Sequence, residues 1–202
     1  MPHLDQKHVI IVAHSQRRAI MIGLARKFKE TGAIVTLVCS TAQELSYYKS
    51  NFGLSFDKIL VSELAAKLAL EPVVDEEKVI RRAIELEQWC GANFQRLILQ
   101  DRHLGRGYAL GGTRHPKSNY SENTSYAQVL QAFIKKIEFW IDYVAKTKPN
   151  LVVGDAGELE WVAAQYEIPV RILVSSRNEN YFYWSDSVHR TTPEIERAYY
   201  DR

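Results

Sequence analysis

Short apolar runs rich in β-branched residues, each followed by a stretch of helical periodicity, constrain the fold of this chain more than any other feature. The first run is HVIIVAH, from His8 to His14, and SQRRAIMIGLARKFKETG follows it. An apolar run without polar alternation is typical of a strand that is buried on both faces. Because parallel strands are joined by helical crossovers, the pattern predicts right-handed βαβ units.

The same alternation continues to the end of the chain. Further strands are predicted at AIVTLVCS, FDKILVS, NLVVGDAG and VRILVSS, and helices at TAQELSYYKSNFG, DEEKVIRRAIELEQWCGANF, YAQVLQAFIKKIEFWIDYVAKTK and ELEWVAAQYEI. RLILQ, from Arg96 to Gln100, is predicted as a strand or as the end of a helix. Since no repeat or flexible linker interrupts the pattern, 1–202 is predicted to be a single α/β domain. Its expected form is a three-layer, Rossmann-like arrangement around a central, mostly parallel sheet.

The composition narrows the functional classes. A formal net charge of +2 implies no general attraction to nucleic acid. Cys39 and Cys90 lie in apolar contexts, and no HxH, HExxH or CxxC motif is present, so we expect buried thiols, no metal site and no cofactor. Without a signal peptide or an apolar run near ~18 residues, a cytoplasmic protein with no membrane span is predicted.

The residues that follow the predicted strands are the first candidates for a site, because open parallel sheets bind ligands beyond the carboxyl ends of their strands. His14 ends the first run and is the strongest candidate, as a general base. The alternative is a histidine that only caps or packs. Ser15 is predicted to cap the following helix and, with Arg17 or Arg18, to hold an anion. The turn lacks the glycines of a dinucleotide fingerprint or a P-loop, which argues against both classes.

Two later strands also end in polar residues. Asp155 follows LVVG, and its carboxylate either caps the next helix or meets a substrate hydroxyl. Ser175, Ser176 and Arg177 follow RILV and are further candidates for substrate binding. The aromatic segment SSRNENYFYWSDS, which begins with these residues, suits a sugar ring, a protein interface or core packing.

The stretch LQDRHLGRGYALGGTRHPKS belongs to the one long segment, 99–125, for which an irregular loop is predicted. Asp101 is a second candidate base, and Arg102, His103 and Arg106 carry the groups that suit an anionic substrate. Gly107 allows the backbone to approach a ligand closely. The alternative is a solvated connection between two helices that binds nothing.

The order of these pieces resembles the N-terminal half of GT-B-fold glycosyltransferases and of the related nonhydrolysing sugar-nucleotide epimerases. The passages that carry the resemblance are IIVAHSQRRA, ARKFKETGAIVTLVCS and KPNLVVGDAGELEWVAAQYEIPVRILVSS. The resemblance implies that His14 occupies the place of the catalytic base of several inverting members, and that Asp155 and Ser176 line the acceptor side of the cleft. DRHLGRGYALGG also looks like a segment of proteins encoded with surface-polysaccharide genes.

The resemblance implies the acceptor-binding half of a transferase of surface-polysaccharide or glycan biosynthesis, with a sugar-nucleotide donor and a glycan acceptor as partners. The family's C-terminal half, which binds the nucleotide sugar, has no counterpart in these 202 residues. The expectation is therefore either a fragment of a longer two-domain chain or a chain that works with a second domain or as a homo-oligomer. Peripheral membrane association is compatible with this expectation. The alternative function is a non-catalytic α/β module that docks a partner through its aromatic C-terminal segment.

Overall fold

The computed structural model describes residues 6–100, 124–155, 157–175, 182–186 and 200. Its internal contacts divide the chain into two compact units. The first unit comprises Met1–Val61, Thr147–Ala156 and Tyr166–Arg202, and the second comprises Ser62–Lys146 and Gly157–Gln165. The first contains the sheet, and the described part of the second is helical.

Six strands form the sheet of the first unit. They are β1 (His8–Val12), β2 (Ile34–Cys39), β3 (Lys58–Val61), β4 (Leu151–Val153), β5 (Val170–Ser175) and β6 (Phe182–Ser185). Their order across the sheet is β3-β2-β1-β4-β5-β6. All neighbours are parallel except β6, which runs antiparallel to β5. The predicted α/β, Rossmann-like fold with a mostly parallel sheet is confirmed, and each predicted strand forms in shortened form. Strand β6 is an addition that the sequence did not predict.

Strand β1 is the centre of this sheet and is buried along its whole length. Helices α1 (Arg18–Glu30) and α2 (Ala42–Phe52) belong to the first unit. They connect β1 to β2 and β2 to β3, so the chain moves outward from β1 and later returns to β4 on the other side of β1. The reversal of strand order between β1 and β4 marks the position where α/β sheets bind ligands.

The second unit consists of helices. Those in the described part of the chain are α3 (Ala65–Leu68), α4 (Glu76–Cys90), α5 (Phe94–Gln100), α6 (Tyr126–Thr147, whose last residue belongs to the first unit) and α7 (Gly157–Gln165). RLILQ is therefore helical, which decides between the two predicted alternatives. Helix α7 packs against α4 and α5, and Glu158 of α7 forms a nearly buried ion pair with Lys136 of α6 at 2.5 Å.

Both cysteines are buried as predicted, Cys39 in β2 and Cys90 at the end of α4. Burial raises the pKa of Cys39 to about 12 and that of Cys90 to about 11. Both are therefore protonated thiols at neutral pH and do not serve as nucleophiles. Among the described helices, none combines the length and the apolar character needed to cross a bilayer.

Candidate functional site

The candidate site lies in the first unit, at the sheet edge formed by the carboxyl ends of β2, β1 and β4. Ile11 of β1 pairs with Val153 of β4. His14 lies three residues beyond Ile11, and Asp155 lies two residues beyond Val153. Measured along the strands, the two residues therefore differ in position by one residue. The sequence-based expectation that both residues lie at one edge of the sheet therefore fits the strand register.

Gly154 allows β4 and β1 to end this close together. Its φ angle is +125°, and a Cβ built on it would lie 2.7 Å from the Cβ of Val12 and 3.0 Å from the Val12 carbonyl oxygen. Its N–H donates a hydrogen bond of 2.9 Å to the carbonyl of Arg171 in β5. Since a side chain would meet both steric conflicts, this position requires glycine, and the backbone turns immediately before Asp155.

His14 caps a 3-10 turn, Ser15–Arg17, that precedes α1. Its ring is half-buried, and Nδ1 accepts a hydrogen bond of 3.3 Å from the N–H of Gln16. A backbone N–H can only donate, so the neutral ring carries its proton on Nε2. No described residue forms a hydrogen bond with Nε2. The ring therefore offers a hydrogen-bond donor that no described residue of this edge accepts.

Opposing charges act on the His14 ring. Burial lowers its pKa and the charge of Arg17 lowers it further, while the carboxylates of Asp155 and Glu44 raise it. The net result is a pKa below the ordinary value of 6.5, which keeps the imidazole neutral at pH 7. Glu44 follows β2 and Asp155 follows β4, so the two carboxylates that act on His14 come from the strands on both sides of β1.

Glu44 is a member of this site that the sequence interpretation missed. Thr41 caps α2 by accepting a hydrogen bond of 3.1 Å from the N–H of Glu44, and the Glu44 carboxylate accepts one of 2.9 Å from the N–H of Ser40. This reciprocal arrangement resembles a capping box, which the spacing of TAQE could have revealed. The carboxylate is thus held in place beside the end of β2, so it acts on His14 as a fixed charge.

Arg17 and Arg18, which follow β1, are less accessible to an anionic ligand than the sequence predicted. Ser15 is exposed but does not cap, because His14 caps the turn and no side chain caps α1, so that prediction is wrong. Arg17 is only 7 % exposed. The guanidinium of Arg18 stacks over the ring of Tyr47, 4.2 Å from its centroid, in a cation–π contact. These placements limit what Arg17 and Arg18 can offer a ligand.

The remaining described candidates lie at the same edge. Asp155 is exposed, and within the described chain its carboxylate has no hydrogen bond or ion pair. Ser175 is the exposed last residue of β5, two residues beyond the level of Asp155 by the pairing of Val153 with Arg171. Asp155 can therefore accept a proton or a hydrogen bond from a ligand, and Ser175 is placed farther along the edge.

The other predicted site residues lie outside the described residues, and their roles stay predictions. They are Asp101, Arg102, His103, Arg106, Gly107, Ser176 and Arg177. A search of the described part of the chain finds no cluster of three or more His, Cys, Asp or Glu side chains that could hold a metal ion.

Comparison of the sequence with protein-family models and with curated proteins finds no match. The site therefore has to be interpreted from its own chemistry. That chemistry is a neutral imidazole that presents an N–H, an exposed carboxylate that no described residue pairs with, and a glycine that allows their strands to end close together.

Proposed function

We propose that the first unit is the acceptor-binding domain of a GT-B-like glycosyltransferase that acts in surface-polysaccharide or glycan biosynthesis. One observation carries the proposal. At the reversal of strand order, His14 and Asp155 follow adjacent strands at nearly the same level, with a donor Nε2–H on one and, on the other, a carboxylate that has no partner among the described residues. A hydroxyl group both donates and accepts hydrogen bonds, so this pair matches the hydroxyl of a sugar acceptor.

The reaction requires a proton acceptor at the attacking hydroxyl. A bond forms between the acceptor oxygen and the anomeric carbon of the donor sugar, and the bond from that carbon to the phosphate oxygen of the nucleotide breaks with its electron pair. In our proposal the proton passes to the Asp155 carboxylate, while His14 Nε2–H donates to an oxygen of the substrates. For His14 to serve as the base, the ring would have to adopt the other tautomer and give up its bond to Gln16.

The charge on the donor gives the predicted basic residues a role. A sugar nucleotide carries phosphate oxygens, which arginine guanidinium groups bind in a bidentate way. Arg102 and Arg106, together with Arg177, are the proposed contacts, and Ser15, Ser175 and Ser176 are proposed hydroxyl contacts to the substrates. The acceptor and the donor are the proposed partners, with no metal ion.

Ligand-observed NMR of the 202-residue protein against nucleotides, sugar nucleotides and glycan acceptors tests the proposal. Asp155→Asn and His14→Gln remove the carboxylate charge and the imidazole, and each is expected to weaken acceptor binding about tenfold. Asp186→Asn is the matched control, because Asp186 is also exposed and lies in the same unit. Equal binding by all three variants would contradict the placement of the site.

A second candidate function rests on β6. Phe182 is 42 % exposed and Trp184 is 41 % exposed, and as alternate residues of one strand they lie on the same face of the sheet. A non-catalytic module that docks a protein partner through this segment accounts for both. It predicts that a folded protein binds no member of the NMR panel and instead forms a stable complex with another protein, which Trp184→Ser weakens.

A further inference from the structure

The first unit contains a second concave feature, which we name the amino-edge pocket. Its volume is about 280 Å³, and it lies between α1 and the sheet. The lining residues are Leu24, Phe28, Leu151, Val153, Arg171 and Trp184. Two of these residues lie at or next to the amino ends of their strands, since Leu151 is the first residue of β4 and Arg171 the second of β5, and Val153 is the last residue of the three-residue β4. The candidate transferase site lies at the carboxyl ends of the strands.

The lining of the amino-edge pocket is almost entirely apolar and only partly covered. Val153 is buried, whereas Leu24, Phe28 and Leu151 are half-buried and Trp184 is exposed. Apolar surface that remains in contact with water within a concave site is a property of ligand pockets. The pocket is nearly twice the size of a cavity of about 150 Å³ that holds one benzene ring, so it has room for part of a hydrocarbon chain.

Among the described residues of this lining, Arg171 alone is charged. Its side chain is exposed, and Nη1 donates a hydrogen bond of 2.7 Å to the carbonyl of Val170. No carboxylate of the described chain forms an ion pair with it. A guanidinium with donors to spare at the edge of an apolar pocket complements an anion that is attached to an apolar chain, because it can bind a carboxylate or a phosphate through two hydrogen bonds.

We propose that the amino-edge pocket binds the hydrocarbon chain of an anionic amphiphile, with the chain against Leu24, Phe28 and Leu151 and the anionic head on Arg171. Both parts are needed. The apolar lining supplies affinity in proportion to the area that it removes from water, and the guanidinium selects the charge of the head. This binding is independent of the proposed transferase function, since the two sites share no residue.

Titration of the complete chain with decanoate, decyl phosphate, decanol and decyltrimethylammonium tests the proposal. Each probe is kept below the concentration at which it forms micelles. The indole N–H signal of Trp184, assigned with the variant Trp184→Phe, reports occupation of the pocket by NMR. Decanoate and decyl phosphate are expected to shift this signal saturably, and their relative affinities distinguish a carboxylate head from a phosphate head. Acetate and inorganic phosphate are expected to produce no saturable shift.

Variants separate the two parts of the pocket. Arg171→Gln is expected to weaken decanoate binding about tenfold and to leave decanol binding unchanged. Lys49→Gln is the matched control, because it removes one exposed positive charge from the same unit. Leu151→Trp fills the pocket and is expected to abolish binding of every hydrocarbon chain. If this variant does not fold, Leu24→Gln replaces it, because a polar amide in the apolar lining is also expected to weaken binding of every chain.

Two results would overturn the proposal. One is a folded protein whose Trp184 signal shifts with none of the probes. The other is equal affinity for decanoate and decyltrimethylammonium, since an anionic head would then contribute nothing. His14→Gln is expected to bind decanoate as the wild type does, so failure at the amino-edge pocket is distinguishable from failure of the transferase proposal.

Discussion

His8 begins β1 and His14 lies two residues beyond the end of this strand, and the two histidines differ in their hydrogen-bond partners. His8 is 6 % exposed, with Nδ1 3.3 Å from the carbonyl of Thr147 and Nε2 2.9 Å from the hydroxyl of Thr36. A carbonyl can only accept, so the His8 ring carries its proton on Nδ1. His14 is half-buried and carries its proton on Nε2, because the N–H of Gln16 donates to Nδ1. The histidine that begins β1 and the one two residues beyond its end are therefore in opposite tautomers.

Hydrogen-bond partners, and not the direction of the pKa shift, distinguish a structural histidine from one that is available to a ligand. Burial lowers the pKa of both His8 and His14, so the shift alone does not separate them. The partners do. Both nitrogens of His8 are bonded within the unit, whereas Nε2 of His14 has no partner in the described chain and faces the sheet edge that also carries Asp155. The amino end of β1 is thus stabilised by side-chain hydrogen bonds, and the carboxyl end presents polar groups.

The largest effect is expected at Gly154. Gly154→Ala places a Cβ against Val12 and forces a non-glycine residue to φ +125°, so the free energy of unfolding should fall by about 3 kcal/mol. Urea denaturation measures it. Gly23→Ala in α1 is the control, because nothing lies within 4 Å of its added Cβ, and it should be neutral or stabilising by about 0.5–1 kcal/mol. Equal stability of both variants would mean that the close approach of β4 to β1 is dispensable.

A smaller loss is expected when the amino end of β1 loses a hydrogen bond. Thr36→Val keeps the shape of a side chain that is 1 % exposed but leaves Nε2 of His8 without the Thr36 hydroxyl. The unfolding free energy should fall by about 1–2 kcal/mol. In Thr31→Val the lost hydroxyl is exposed, so water can replace its bond to the carbonyl of Phe28 and the cost should be clearly smaller. Equal costs in the two variants would contradict the assignment of His8 as a structural residue.

The pH dependence of stability should follow His8 more than His14. Their pKa values lie below 6.5 in the folded protein, so below this pH the unfolded chain binds protons that the folded one does not. The contribution to stability is complete above pH 6.5 and declines as the pH falls toward the folded pKa. Urea denaturation between pH 7.5 and 5.5 should show this decline, and His8→Gln should reduce it more than His14→Gln, because His8 is more deeply buried. The opposite order would contradict the comparison.

The predictable part of the fold was the part with a clear local pattern. The β-branched runs indicated β1 to β5, and the strand-end rule then placed His14 and Asp155 at one edge. RLILQ was ambiguous because a short apolar run fits both periods. The sequence FYWS appeared to be an aromatic segment for a sugar or a partner. Its pairing with β5 is a long-range contact that no local pattern encodes, so β6 was missed.

Which side chains act at the site depends on strand order and tertiary packing, and residue type alone does not reveal these. Glu44 affects His14 only because β2 lies beside β1, and the capping spacing of TAQE says nothing about that neighbour. The burial of Arg17 likewise follows from tertiary packing, so a guanidinium that appeared available in the sequence is mostly covered. The amino-edge pocket was missed for the same reason, since its lining comes from four separate elements.

The smallest effect on stability is expected at His14. His14→Gln removes a half-exposed ring whose one hydrogen bond is 3.3 Å long, so the unfolding free energy should change by no more than about 0.5 kcal/mol. His8→Gln, measured in the same way, should be clearly destabilising. The tautomers can be observed directly from the ¹⁵N shifts of both rings at pH 7.5, where His8 should carry its proton on Nδ1 and His14 on Nε2. If the proton of His14 is found on Nδ1 instead, the ring presents a lone pair at the sheet edge, and His14 rather than Asp155 becomes the proton acceptor of the proposed reaction.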